Sequence, residues 1–368
     1  MSKQIDMDTL RTWLDGRRPV TVLDVRDDEA RAQWAIPGSL HINAYDDLRQ
    51  GRPGGLATSE LPHDRPIVTI CDAGRVSQTA ADLLAERGLD ARSLTGGMKA
   101  WSLAWNEADL PTTPAGARVI QVRRTGKGCL SYVVGANGDA LVVDPSLPTE
   151  VYLDIVRRQG WTIRHVLDTH IHADHLSRAR QLATASGATL RLPDQQRVRF
   201  PFVPVHVGDS IALGASVLTA LHTPGHTDES LSYLLDGAIA FTGDTLFVRG
   251  VGRPDLHAAP AEAERRARTL FTSLNRLRAL APDTIVLPAH TSDPVPFDRK
   301  AIAARLSDLE PWLAGWLSSE QGFVDRLLAR VPPTPPNFSS IVGLNEAGEQ
   351  PPGDPTDLEA GANRCAVA

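Results

Sequence analysis

Thr169 to His175, THIHADH, constrains this chain more than any other stretch. His170, His172, Asp174 and His175 crowd together directly after His165–Asp168, an apolar run that reads as a strand. Imidazole nitrogen and carboxylate oxygen are the donors that borderline transition metals prefer. Residues two apart can converge where a loop leaves a strand, and Asp174 and His175 would then open the next helix. Three more residues follow the same logic: His226 lies in the tight turn TPGH, Asp244 follows the apolar strand AIAFTG, and His290 closes the strand TIVLPAH. Five of the eleven histidines of the chain fall in these clusters. Burying that many polar groups without partners would cost several kcal/mol, and metal ligation is the simplest way to satisfy them.

Around these clusters the pattern is that of a mixed sheet domain beginning near Arg118. Ala140–Val143, His165–Asp168, Ala238–Phe241 and Thr284–Leu287 are short apolar strands. Helices are expected at Val151–Gln159, Leu176–Ser186, Ala261–Leu280 and Arg299–Leu317, with a further helix to about Arg330 and a Pro-rich tail. Ser210–Leu221 and Ser230–Phe241, the latter turning at Asp236-Gly237, read as antiparallel pairs.

The N-terminal part alternates differently. Val20–Val25 and Ile67–Ile70 are strands apolar on both faces, and Thr79–Arg87 is an amphipathic helix stopped by Gly88. That alternation implies a small parallel sheet covered on both sides. Asp109–Ala117 breaks every periodicity and reads as a linker. The expected organisation is therefore a first domain at 1–108, a linker at 109–117 and a second domain at 118–368, with no internal repeat. A chain of 368 residues has room for two cores.

Composition excludes some partners. A net charge of −6 gives no electrostatic reason to expect nucleic acid or a membrane surface. No apolar run approaches the roughly 18 residues of a membrane span. The polar start MSKQIDMDTLRTWLDG lacks a signal-peptide core, and three widely spaced cysteines argue for a reducing compartment, so a cytoplasmic location is expected. The sequon at Asn337 is read as chance.

From residue 118 to about 300 the chain resembles the metallo-β-lactamase superfamily, whose HxHxDH signature is specific. Phe241–Asp255 (FTGDTLFVRGVGRPD) and Gly361–Cys365 (GANRC) narrow the resemblance to persulfide dioxygenases. The family implies an αββα sandwich and a single Fe(II) held by His170, His226 and Asp244. His172, Asp174, His175 and His290 would then surround that ion instead of holding a second one. The implied reaction converts a thiol persulfide, usually glutathione persulfide, and dioxygen into sulfite and free thiol. Arg249, Arg253 and Asp255 would contact the substrate or lock the loop by an ion pair. Glyoxalase II-type thioester hydrolases share the fold and the ligand set, with zinc or a dinuclear site, and HxHxDH alone does not separate the two. Family relatives often form homodimers, although no stretch here identifies an interface.

Cys71 follows the strand IVTI and opens the loop CDAGRVS ahead of a helix. A thiol cupped by successive backbone N–H groups at a helix N-terminus is favoured as thiolate. Gly74 permits the turn, Arg75 adds positive charge, and Asp72 and Ser77 complete the loop. With LDVR at 23–26, IPGS at 36–39 and LTGGMKAW at 94–101, residues 5 to 106 resemble the rhodanese domain. That resemblance implies a parallel α/β sheet and a Cys71 that accepts and donates sulfane sulfur, with thiosulfate or sulfite as partners. The chain departs from the pattern at Val76, at Asp72 beside the nucleophile, and at Trp34-Ala35 before IPGS. A rhodanese domain handles the substrate and product of a persulfide dioxygenase, so the two halves explain each other. A non-enzymatic sulfur-binding protein is the third reading. Cys129, in CLSYVV, is expected to be inert strand packing, and Cys365 either approaches the site or lies at the surface. Trp101, Trp105, Trp312 and Trp316 are read as core or interface.

Overall fold

A computed structural model describes residues 3–367. The N-terminal sheet has five parallel strands in the order Lys3–Ile5, Ala91–Leu94, Ile67–Ile70, Thr21–Asp24 and Leu40–His41. Thr21–Asp24 and Ile67–Ile70 are buried on both faces, as their continuous apolar runs require, while the edge strands Lys3–Ile5 and Leu40–His41 are largely exposed. Ile67 and Leu23 pack on one side, whereas Val68, Ile70 and Val22 pack on the other. The helix after Cys71 runs over Arg75–Glu86, four residues earlier than its apolar periodicity suggests, because Gly74 at φ 86° turns the chain straight into it.

The second domain is a four-layer αββα sandwich. Seven strands form one sheet, from Val203–Val205 at one edge to Asn106–Asp109 at the other, and six form the second, from Ser210–Leu213 to Ala304–Arg305. Val134, Leu141 and Val143 of the first sheet interdigitate with Leu218, Tyr233 and Phe241 of the second. Outside, Thr149–Gln159 and Ala179–Ser186 cover one sheet, and Pro260–Arg278, Leu306–Trp316 and Glu320–Ala329 cover the other. Asp236 and Gly237, at φ 50° and 67°, form the expected hairpin turn.

Four details differ from the sequence reading. Asn106–Asp109, read as the end of the first domain and the start of the linker, pairs antiparallel with Arg118–Arg124 and so extends the second domain's sheet. The helix expected at 299–317 starts only at Leu306, because Ala304 and Arg305 pair with Ile285–Val286. The helix expected from Leu176 starts at Ala179, so Asp174 and His175 sit in the loop before it. The tail is ordered: Phe338–Ala347 is helical, and Ala366–Val367 pairs with Val251–Gly252.

The domains meet closely. Trp101 of the first meets Phe297 of the second at a tilt, with ring centroids 5.9 Å apart, and Arg124 donates to the Ser102 carbonyl at 2.7 Å. Among the described residues, no helix is long and apolar enough to cross a membrane.

Candidate metal centre and cysteine loop

The candidate ligand side chains gather at one end of the sandwich, where Asp139–Val143, Thr162–Leu167, Ile239–Gly243 and Ile285–Pro288 deliver Asp144, Asp168 to His175, Asp244 and His290. Gly252 makes this approach close: a Cβ there would lie 1.9 Å from the Asp244 carbonyl oxygen and 2.9 Å from the His226 Cβ.

His170, His226 and Asp244 form one group. Asp244 Oδ2 is 3.8 Å from His170 Nε2 and 3.5 Å from His226 Nε2. His226 donates its Nδ1–H to the Arg253 carbonyl at 2.7 Å, which leaves a lone pair on Nε2. The Thr169 hydroxyl can donate to Asp144 and accept from His170 Nδ1 at 2.9 Å, leaving His170 Nε2 likewise bare. His170 Nε2 and Asp244 Oδ2 are both buried without a hydrogen-bond partner. Two bare imidazole nitrogens around a bare carboxylate oxygen fit an ion bound at about 2.0–2.2 Å from each. Burial, reinforced by His172, keeps His170 well below its usual pKa. Burial raises Asp244, but the surrounding histidines, His290 foremost, hold it below the usual carboxylate range.

His172 is drawn away from that group. Its Nε2 lies 3.2 Å from Asp144 Oδ1 and 3.9 Å from Asp168 Oδ1. Burial, with Asp144 adding to it, pushes Asp168 up to about 6. His290 bridges two carboxylates, with Nδ1 2.6 Å from Asp244 Oδ1 and Nε2 2.9 Å from Asp174 Oδ2. Burial opposes charge on this ring, but Asp174 and Asp244 together raise its pKa well above the ordinary value.

Cys129 is the main correction. Its strand is buried as expected, yet the thiol is no inert packing. Sγ lies 3.5 Å from Asp174 Oδ2 and 3.8 Å from His175 Nδ1. Cys129, Asp174, His175 and His290 form a second buried group able to hold an ion. Burial and Asp174 raise the thiol, but His175 and His290 outweigh them and bring it down to about 6. Cys365 is buried as well, beside Asp244 and His290, so the tail does reach the site.

Of the substrate candidates, Arg253 is fully buried and paired with Asp255 at 2.7 Å, while its other amino group donates to the Pro333 and Arg364 carbonyls. This pair locks the loop. Arg249 is exposed, 3.8 Å from Asp293. A cavity of about 300 Å³ opens beside His226, lined by Arg197, Glu229, His257 and Arg266. Asp144 and Asp168 were missed in the sequence, although both end apolar strands as Asp244 does.

In the first domain, Cys71 Sγ accepts the N–H groups of Gly74 and Ser77 at 3.2 and 3.3 Å, and its thiol can donate to the Ser77 hydroxyl. Asp72 is exposed and 3.4 Å from Arg26; Arg75 is exposed on the first helical turn. Gly97 closes the cradle, since a Cβ there would lie 2.1 Å from the Cys71 carbonyl oxygen.

Residues 124–290 match the model of the metallo-beta-lactamase superfamily, and residues 6–104 match that of the rhodanese-like domain. ETHE1 from Myxococcus xanthus is 31% identical over 62% of this chain and 98% of its own, with a TM-score of 0.54. A metallo-beta-lactamase from Staphylococcus aureus subsp. aureus COL is 27% identical, covering 66% of this chain and 74% of that one, with a TM-score of 0.57. The hydroxyacylglutathione hydrolase of Methylococcus capsulatus is 36% identical over 157 residues. That match covers 42% of this chain, which spans only 58% of the curated relative's length. The four-layer sandwich with metal-binding groups at its strand ends thus defines a class, and the chain belongs to the metallo-beta-lactamase superfamily. More particularly, it is a fusion in which a rhodanese-like domain precedes the metal-site domain.

Proposed function

We propose that this protein oxidises a thiol persulfide, glutathione persulfide in the first instance, with dioxygen to sulfite and free thiol, and that Cys71 carries sulfane sulfur beside this reaction. The observation that carries the reading is the grouping of two imidazoles and one carboxylate, His170, His226 and Asp244, whose ligand atoms lie within reach of one ion, with Asp244 shared by a neighbouring group of His290 and Cys365. Two imidazoles and one carboxylate leave several positions free on a ferrous ion, as oxygen-activating sites require. Fe(II) bound there would supply the redox chemistry that no side chain offers.

The protein's own residues would set the stage. The Arg253 carbonyl and Thr169 hydroxyl orient the two imidazoles. His172 Nε2 lies against Asp144 and Asp168, and His290 lies between Asp244 and Asp174, while each ring keeps one nitrogen without a hydrogen-bond partner. Arg197 and Arg266 line the cavity beside His226, each already paired with carboxylates, Arg197 with Glu229 and Glu346 and Arg266 with Asp228 and Glu262. The likeness to ETHE1 over nearly its whole length supports this reading.

A second reading is a two-metal thioester hydrolase. The buried Cys129, Asp174, His175 and His290 group favours it, as do the relatives named hydroxyacylglutathione hydrolase. The deciding experiment gives anaerobically iron-loaded protein glutathione persulfide and follows oxygen uptake and sulfite, with His170→Ala as control. Oxygen consumption matched by sulfite and lost in the control supports the dioxygenase. No uptake, with hydrolysis of a glutathione thioester instead, moves the assignment to the hydrolase.

A further inference from the structure

A cavity of about 400 Å³ lies between the domains, and its walls come from both reactive regions. Asp72, Ala73 and Met98 contribute the rim of the Cys71 loop; Asp174 contributes the edge of the metal cluster. Cys71 itself is buried and directly precedes Asp72 and Ala73 of that rim.

The charges lining this cavity do not cancel. Asp72 is paired with Arg26, and Arg26 is in turn gripped by Asp24. Asp357 is paired with Lys99, which also meets Asp354. Asp174 lies against His175 and His290. Asp72 and Asp357 therefore each have a cation, while Asp174 belongs to the candidate metal cluster. Lys127 and Arg364 are left over, with no side-chain partner among the described residues. Lys127 is only 7% exposed and still faces this cavity. A lysine is rarely buried to this extent without a partner, and its Nζ is not among the fully buried unpartnered atoms, so the ammonium opens to the cavity.

We propose that Lys127 and Arg364 form an oxyanion site in the interdomain cavity, which takes a small sulfur dianion, sulfite or thiosulfate, passing between the metal centre and Cys71. The proposal rests on the function put forward above, which makes sulfite at one centre and places a persulfide on the other. A thiol persulfide charges Cys71 by giving its outer sulfur to the thiolate and leaving as free thiol. Sulfite, held by the two cations, attacks the outer sulfur of the Cys71 persulfide through its sulfur lone pair. The sulfur–sulfur bond to Cys71 breaks, its electron pair returns to Sγ as thiolate, and thiosulfate departs. Three negative charges enter and three leave, no outside oxidant or reductant is consumed, and the reverse reaction uses the same site.

The test is calorimetric titration of the full-length chain carrying Cys71→Ser, which blocks turnover, with sodium sulfite and sodium thiosulfate separately. Lys127→Gln and Arg364→Gln are each expected to weaken binding by about tenfold or more, the worth of one charge-assisted hydrogen bond. Lys3→Gln, remote in sequence and exposed, is the charge control. Arg364→Lys, which keeps the charge, should recover part of the loss, and melting curves establish that each variant is folded. Affinities unchanged in both Gln variants overturn the site. So does an equal loss in the Lys3→Gln control. This binding needs neither iron nor oxygen, so it stands or falls separately from the dioxygenase reading.

Discussion

The Nδ1 of His226 sits 2.7 Å from the backbone carbonyl of Arg253, and the same Arg253 sends its guanidinium to Asp255 and to two carbonyls of the tail. One residue thus orients a candidate ligand imidazole with its main chain and is fixed in place by its side chain. Arg253→Lys keeps the charge but loses the fork that holds Asp255 bidentately. We expect metal affinity to fall about 10–100-fold, the usual cost of loosening a ligand's support. Competition against a chromophoric chelator measures it, and an unchanged affinity would show that the loop holds without the fork.

The three-residue group makes a distinction among histidines. His170→Ala and Asp244→Ala should lose nearly all bound metal, whereas His172→Asn, which keeps a polar group facing Asp144, should retain most of it. Elemental analysis after dialysis reads this directly. Equal losses at 170 and 172 would mean that the ion draws His172 out of its carboxylate contacts.

The two centres should be separable by chemistry. Chelation is expected to remove oxygen uptake and leave sulfur transfer by Cys71 intact. Gly97→Ala should do the reverse, lowering sulfur transfer by about tenfold or more, because a Cβ against the Cys71 carbonyl must displace backbone. Parallel assays of metal content and sulfur transfer to cyanide are the check. A Gly97→Ala protein with full transfer activity would contradict the cradle geometry.

Glu359 is buried with Arg124 at 2.8 Å and Arg178 at 3.2 Å. Glu359→Gln leaves Arg124 buried without its partner, which costs about 3–5 kcal/mol. Urea denaturation gives the value, and a change within error would refute it. Burial raises this carboxyl, but Arg124 and Arg178 pull it below the ordinary glutamate value. A depressed folded pKa means that the stabilisation is fully present above the ordinary glutamate range and is lost as pH falls through the folded value. The stability gap between wild type and Glu359→Gln should therefore narrow in acid and stay constant toward neutrality.

Much of this site was legible because it obeys a local rule: acidic or imidazole side chains directly after apolar strands. His170, Asp244 and His290 follow it. Asp144, after ALVV, and Asp168, after HVL, follow it too and could have been found by applying it without exception. Cys129 could not. It lies at the beginning of its strand, and only the bridge to His290, far along the chain, brings it to the cluster. The start of the helix at Leu306 was hidden for a similar reason. Ala301, Ile302 and Ala303 look helical in isolation but pack against the inter-sheet core. Local periodicity carries no information about which distant edge a segment will pair with.

The groups that close the metal cluster come from far away along the chain. Asn363 reaches Asp174 across 189 residues, and Glu359 reaches Arg124 across 235. Contacts with that much intervening chain are slow to form. The sandwich can be complete, with its histidines aligned in an open cleft, before the tail lies down over them. The order of events during folding then decides when an ion enters: early arrivals meet an unobstructed cleft, and later ones must wait for the tail to lift.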